Sequence, residues 1–224
     1  MHRLKGLYGI TDCQLQPDDK TLMETVELAL IGGMRVLQYR DKSQDHARRV
    51  RQAGALKALC HRYQALLIIN DDIELTAEVE ADGVHLGQQD DTIENARKRL
   101  GDYAIIGISA ENSIAQAKAA VEQGVDYLAF GRFFPSVTKP EAKAAPLSLL
   151  SEVRTSFDHP IVAIGGITVD NAPDIITAGA DMVAVVNNLF SAPDIQYRAR
   201  EFTRLFPGNH QGMAGPETGT GLKK

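Results

Sequence analysis

The sequence predicts one α/β domain, a (β/α)8 TIM barrel, on three observations. Its 224 residues fall within the roughly 200 to 250 that such barrels occupy as a single domain. A helix-to-strand joint recurs four times: IGGMRVLQYR from Ile31, EADGVHLGQ from Glu80, QGVDYLAFGRFF from Gln123 and AGADMVAVVNNLF from Ala178. In each, a helical stretch ends at glycine or a small acidic turn, because glycine accepts the left-handed backbone that closes a helix. Eight short apolar runs then alternate with stretches of helical period.

Taken in order, the first strand is LYGIT at 7–11, and a helix-period stretch follows at 20–30. The second strand lies in the joint that ends QYR, before a stretch at 44–63 and the strand ALLIIN at 65–70. The fourth strand lies in DGVHLGQ; a helix at 92–100, the strand AIIGIS at 104–109 and a helix at 113–122 come next. The sixth strand lies in VDYLAFG, followed by a helix at 147–156, the strand PIVAIG at 160–165 and a helix at 170–177. MVAVV supplies the eighth strand, VVNN leads into a short helical piece, and a last helix runs over 195–205. Nearly continuous apolar strands suit a parallel sheet covered on its outer face and packed inside. An open doubly wound sheet predicts similar local elements; the strand count and the placement of polar residues favour closure. The barrel domain is expected over 1–206. The glycine-rich segment 207–224, with few apolar residues, is expected to be a disordered tail.

Composition excludes several classes. Hydrophobic residues make up 44% and charged residues 24%, the balance of a globular domain with a sizeable core. A net charge of -5 gives no general attraction to nucleic acid or to anionic lipid. No apolar run approaches the ~20 residues that cross a bilayer, so neither nucleic acid nor membrane is an expected partner. Two cysteines, Cys13 and Cys60, and a start without the apolar stretch of a signal peptide lead to the expectation of a reducing cytoplasm. Oligomeric state is not readable from the sequence.

Barrel enzymes take their functional groups from the carboxyl ends of the strands, and the polar residues gather there. Strand two ends in QYRDK, where Gln38, Arg40 and Lys42 share one face, ~6.6 Å apart in extended chain. Two cations on one face imply an anion; a guanidinium fork beside an ammonium suits a diphosphate. Strand three runs into Asn70, Asp71 and Asp72, and strand four leads to Asp90 and Asp91. Hard oxygen ligands at neighbouring strand ends can share Mg²⁺, and helix N-capping competes for the same aspartates. His85 is expected to pack or hydrogen-bond inside the barrel, since no His or Cys spacing resembles a zinc site. Ser109 ends strand five, where orienting a substrate and turn chemistry are equally good readings. Strand six opens into the long loop GRFFPSVTKPEAKAA, whose length points to function and whose Ser136, Thr138 and Lys139 could grip phosphate. Strand seven ends in IGGIT and strand eight in VVNN; glycine backbone beside a helix start is the usual phosphate arrangement in this region.

The segments YGITD, LQYRDK, LIINDD, DGVHLGQQD, IGIS, FGRFFPSVTK, AIGGI and GADMVAVV stand in the order found in the thiamine phosphate synthase family, and the chain resembles that family over residues 7–206. The resemblance implies synthesis of thiamine phosphate from aminomethylpyrimidine diphosphate and hydroxyethylthiazole phosphate, with Mg²⁺ as cofactor and diphosphate released. By position, Gln38, Arg40, Lys42, Asn70, Ser109 and Lys139 match pyrimidine-diphosphate contacts, and Asp71 and Asp90 match the metal ligands. Ser136, Thr138, Gly166, Val186 and Asn187 match the thiazole-phosphate positions; Tyr39, Asp41 and Val137 lie within the same motifs and are counted with the substrate-binding set. Arg40, Lys42, Ser109 and Lys139 are the expected catalytic residues. A thiazole phosphate tautomerase would need no diphosphate and magnesium apparatus, and a phosphate-ligand sensor would need no turnover.

Overall fold

A computed structural model describes residues 4–87, 90–135 and 144–206. Eight parallel strands close into a barrel in chain order: β1 (Gly6–Ile10), β2 (Val36–Tyr39), β3 (Leu66–Asn70), β4 (Gly83–Leu86), β5 (Ile105–Glu111), β6 (Tyr127–Phe130), β7 (Ile161–Ile164) and β8 (Met182–Val185). The pairing of β1 with β8, Gly6 opposite Met182 and Gly9 opposite Val185, is what distinguishes this closed sheet from an open one. The helices α1 (Asp19–Ile31), α2 (His46–Arg62), α3 (Ile73–Glu78), α4 (Ile93–Leu100), α5 (Ile114–Glu122), α6 (Ser148–Ser156), α7 (Ala172–Thr177), α8 (Asn187–Phe190) and α9 (Ile195–Arg204) alternate with the strands. The expected stretches correspond to these helices within a residue or two; α3 was not among them. The tail at 207–224 lies outside the described residues. Among the described residues no helix is long and apolar enough to cross a membrane.

Strand alternation divides the core in two. One set of side chains, including Leu37, Leu67, Ile69, Val84, Ile106 and Val183, packs with the helices. The other, including Tyr8, Val36, Leu66, Ile68, Tyr127, Val162 and Met182, packs inside the barrel. Period-two geometry requires this split, so inward neighbours toward the carboxyl ends can be counted off: Gln38, Asn70, His85 and Ser109 follow Val36, Ile68, Gly83 and Gly107 by two residues.

The recurrent joints take the conformations their residues suggest. Gly33, Gly124 and Gly179 have φ of 100°, 83° and 116°, and in the joint that has no glycine at this place Glu80 takes the left-handed conformation with φ 50°. At three joints an aspartate just before an even-numbered strand accepts a backbone N–H from the preceding strand: Asp82 from Leu67 at 2.8 Å, Asp126 from Ile106 at 2.8 Å and Asp181 from Ile161 at 2.9 Å. Each carboxylate also meets a cationic or imidazole side chain of the preceding even-numbered helix: His61 of α2 at 3.2 Å, Arg97 of α4 at 2.9 Å and Arg154 of α6 at 2.8 Å.

Candidate active site

At the carboxyl ends of the strands the barrel opens into a cavity of about 940 Å³, lined by Gln38, Arg40, Asn70, Ser109, Gly166, Val186 and Asn187 among others. The loops after seven strands thus converge with the expected residues, a volume suited to small-molecule ligands. Arg40 is held at its backbone: its N–H donates to Thr11 Oγ1 at 2.8 Å, and that hydroxyl donates to Arg40 O at 3.3 Å. Among the described residues no carboxylate pairs with the Arg40 guanidinium, which leaves a cation in the cavity wall available to an anion.

Beside this wall, Lys42, Asn70, Asp71 and Asp90 form a cluster. Lys42 Nζ donates to Asp71 Oδ2, and Asn70 Nδ2 donates to the same oxygen at 2.6 Å. Asp71 takes a left-handed backbone with φ 63°, which turns it out of the line of β3 while its N–H donates to His85 O at 2.9 Å. Asp90 Oδ2 accepts the Gly87 N–H at 2.6 Å. The two carboxyls hydrogen-bond to one another, and their acidities separate. Desolvation and the bond to Asp71 raise Asp90 above the usual carboxylate range. Asp71 is also pushed up by burial, but its bonds from Lys42 and Asp90 outweigh this and hold it low. Two carboxylates this close repel one another, and a cation beside them relieves the repulsion.

Helix capping engages some of these aspartates and not others. Asp72 caps α3, accepting Leu75 N–H at 2.8 Å, and pairs with Arg49 at 2.7 Å. Asp91 accepts Thr92 N–H and Asn95 Nδ2, both at 2.7 Å, while Thr92 caps α4. Asp71 and Asp90, the two expected metal ligands, cap nothing. Among the described residues no group of three or more His, Cys, Asp or Glu side chains converges, so a cation here would take further ligands from water or phosphate, as Mg²⁺ does.

Tyr39 and Asp41 are not brought into the cavity. Tyr39 is buried on the helix side of β2, where its hydroxyl donates to Gln52 Oε1 of α2 at 2.7 Å. Asp41 accepts the Ser43 N–H at 2.7 Å and pairs with Arg48 at 3.4 Å. Alternation explains both, since residues 38 and 40 face inward and their neighbours outward. Ser136, Val137, Thr138 and Lys139 lie outside the described residues. On the far wall, Gly166 has φ 62°, and a Cβ there would sit 2.2 Å from Pro135 O; Val186 and Asn187 stand where β8 passes into α8.

Below the cavity, sequence reasoning missed two tyrosines. Gln38 Nε2 donates to Tyr8 Oη at 2.9 Å, and Tyr8 Oη and Tyr127 Oη are 3.0 Å apart. His85 Nδ1 lies 2.9 Å from Tyr127 Oη and His85 Nε2 lies 3.0 Å from Ser109 Oγ. The His85 and Tyr127 rings stack with centroids 5.5 Å apart. Gly107 makes room for this: a Cβ there would sit 1.9 Å from the Tyr127 ring. The expectation that His85 hydrogen-bonds inside the barrel matches this arrangement. Counting inward positions down β1 and β6 from their ends would have found Tyr8 and Tyr127.

Comparison with known proteins gives the family. The family described as thiamine monophosphate synthase matches residues 7–189. The chain is similar to a thiamine-phosphate synthase of Nitrosococcus oceani, 53% identical over 91% of this chain and 94% of that one. It is similar to another of Alcanivorax borkumensis, 49% identical over 93% and 97% of the two chains. Among solved structures it resembles a thiamine phosphate pyrophosphorylase from Pyrococcus furiosus, with a TM-score of 0.83 and 33% identity over 92% of this chain and 97% of that chain. Neither the tautomerase nor the sensor alternative finds support in these likenesses.

Proposed function

The chain belongs to the thiamine monophosphate synthase family and is a transferase that makes thiamine phosphate; on that premise we propose that its cavity joins aminomethylpyrimidine diphosphate to hydroxyethylthiazole phosphate, with the residues of the strand ends in the following roles. Arg40 and Lys42 hold the diphosphate, one as a planar fork and the other as a point charge. Gln38, Asn70 and Ser109 orient the pyrimidine. Asp71 and Asp90 would hold Mg²⁺, and the approach of these two carboxyls to one another at neighbouring strand ends supports a cation there. When bound, Mg²⁺ supplies neutralisation of charge on diphosphate oxygens. Gly166, Val186 and Asn187 receive the thiazole phosphate. Ser136, Thr138 and Lys139 are added to phosphate binding, and Val137 to their loop, on the resemblance of FGRFFPSVTK alone.

The chemistry asks the chain for position and charge rather than for a nucleophile. The bond between the pyrimidine methylene and diphosphate oxygen breaks with its electron pair leaving on diphosphate. The pyrimidine amino group feeds electrons toward the methylene, and the thiazole nitrogen lone pair forms the new carbon–nitrogen bond. Arg40, standing without a carboxylate partner among the described residues at the cavity wall, gains interaction energy as charge grows on the leaving group, which lowers the barrier more than it tightens ground-state binding. That unpaired guanidinium beside an acidic pair on adjacent strand ends is the single arrangement that carries this reading.

Reconstitution tests it. Purified full-length chain mixed with both substrates and Mg²⁺ is expected to yield thiamine phosphate and diphosphate in equal amounts, and neither once a chelator removes the metal. A folded chain that forms neither product contradicts the assignment.

A further inference from the structure

Gln38 and Ser109 line the cavity from β2 and β5, and the chain Gln38–Tyr8–Tyr127–His85–Ser109 joins them beneath its floor by links of 2.9, 3.0, 2.9 and 3.0 Å. Tyr8 and Tyr127 are 1% and 0% exposed and lie outside the cavity lining, so they touch a ligand only through others. We propose that Tyr8, Tyr127 and His85 are positioning residues that couple the orientation of the Gln38 amide to that of the Ser109 hydroxyl, so that the hydrogen bonds the two ends make with the pyrimidine substrate are set together.

The coupling follows from counting protons. With Gln38 Nε2 donating to Tyr8, the Tyr8 proton goes to Tyr127 and the Tyr127 proton to His85 Nδ1. A neutral His85 then carries its proton on Nε2 and donates to Ser109, whose own proton is directed onward. In this sense of the chain Gln38 presents its carbonyl oxygen to the cavity as an acceptor and Ser109 acts as a donor. Reversing the chain requires turning the amide and moving every proton together; Gln38 then donates and Ser109 accepts. With His85 neutral, the two ends therefore turn together: the Gln38 amide does not reverse without the Ser109 hydroxyl reversing as well. Burial pushes Tyr8 up to about 12 and Tyr127 well above the usual phenol range, so both hydroxyls keep the protons this counting needs. An aminopyrimidine carries an amino donor and ring-nitrogen acceptors, which is the mixed polarity such a chain favours.

The inference rests on the aminopyrimidine reading above, and its test separates the two. Dissociation constants are measured with full-length protein and Mg²⁺, without thiazole phosphate, for the aminopyrimidine diphosphate and for a desamino counterpart with hydrogen in place of the amino group. In the parent, losing the amino group strands an acceptor that cannot become a donor alone. Tyr127→Phe and Tyr8→Phe each cut the chain and free its two ends, so the amino-over-desamino preference is expected to fall about tenfold, one hydrogen bond's worth. The Michaelis constant for thiazole phosphate should stay within about twofold, because only orientation at the pyrimidine end has been released. An unchanged preference in folded Tyr127→Phe overturns the proposal, as does a fall in preference accompanied by an equal loss at the thiazole-phosphate site, which would mark general distortion of the barrel floor. Should Tyr127→Phe not fold, Tyr8→Phe decides, since it cuts the same chain one link away. A parent protein that binds no aminopyrimidine diphosphate rejects the functional reading and the coupling with it, before any variant is compared.

Discussion

Asp71 and Asp90 end neighbouring strands, yet they meet each other instead of capping the helices that follow. The left-handed backbone of Asp71 turns its carboxyl toward Asp90, and the caps fall to Asp72 and Thr92. Aspartates one residue apart in sequence are indistinguishable by type, so this division of labour could not be read before the backbone was known. Asp71→Asn and Asp90→Asn are each expected to lower magnesium-dependent turnover by about a hundredfold or more, because a neutral amide is a poor ligand for a hard cation; circular dichroism should show the fold intact, and unchanged magnesium dependence in both would refute the pair as the metal site. Cys60 illustrates a residue with stability and no chemistry. Burial of this α2 residue in the core pushes its thiol up to about 12, above the ~8.5 of an exposed thiol. Between those values the unfolded chain gives up the proton and the folded chain keeps it, so the stability is complete below the unfolded value and declines as pH rises through the window, by roughly 1.4 kcal/mol per unit. Urea unfolding at about pH 8 and about pH 10 should show Cys60→Ala losing roughly 2 kcal/mol less than the parent over that interval; equal losses would show that the thiol does not govern the slope.

At the scale of elements, the same joint solves one problem three times. A parallel strand entering the barrel leaves backbone N–H groups of its neighbour unpaired at the amino-terminal rim, and Asp82, Asp126 and Asp181 supply the acceptors. All three lie in the joints from which the barrel was inferred, so the recurring pattern was visible in the sequence although its purpose was not: an aspartate before a strand reads equally well as a turn residue. Asp126→Ala strands the Ile106 N–H and removes the partner of Arg97, whose ion pair is half-exposed and worth little in itself. The expected cost is about 2 kcal/mol of stability, mostly from the unsatisfied amide, with kcat unaltered because the rim lies opposite the cavity. A variant that lost turnover at unchanged stability would contradict this assignment. Strands and long helices were readable because their apolar runs and periods span enough residues; α3 follows the acidic end of β3 directly and shows only its cap, Asp72.

For the whole molecule, closure is the property that local sequence patterns did not contain. Open and closed sheets share the same alternation of strand and helix, and the pairing of β1 with β8 sets Val186 and Asn187 around the same cavity as Arg40 and Asn70. The expected ligands were nonetheless identifiable one strand at a time, since each stands at a carboxyl end; what was missing was the inward chain beneath them, whose tyrosines sit among apolar neighbours and read as core. A chain of net charge -5 nonetheless places Arg40 and Lys42 together at the end of β2, where we propose that the diphosphate is held. The most direct test of that account is diffraction from crystals grown with Mn²⁺ in place of Mg²⁺ and an unreactive analogue of the pyrimidine diphosphate, with the metal located by its anomalous signal. The account predicts one metal ion coordinated by Asp71, Asp90 and diphosphate oxygens, with the Arg40 guanidinium on the same diphosphate; a metal bound elsewhere, with the hydrogen bond between Asp71 and Asp90 still in place, would contradict it.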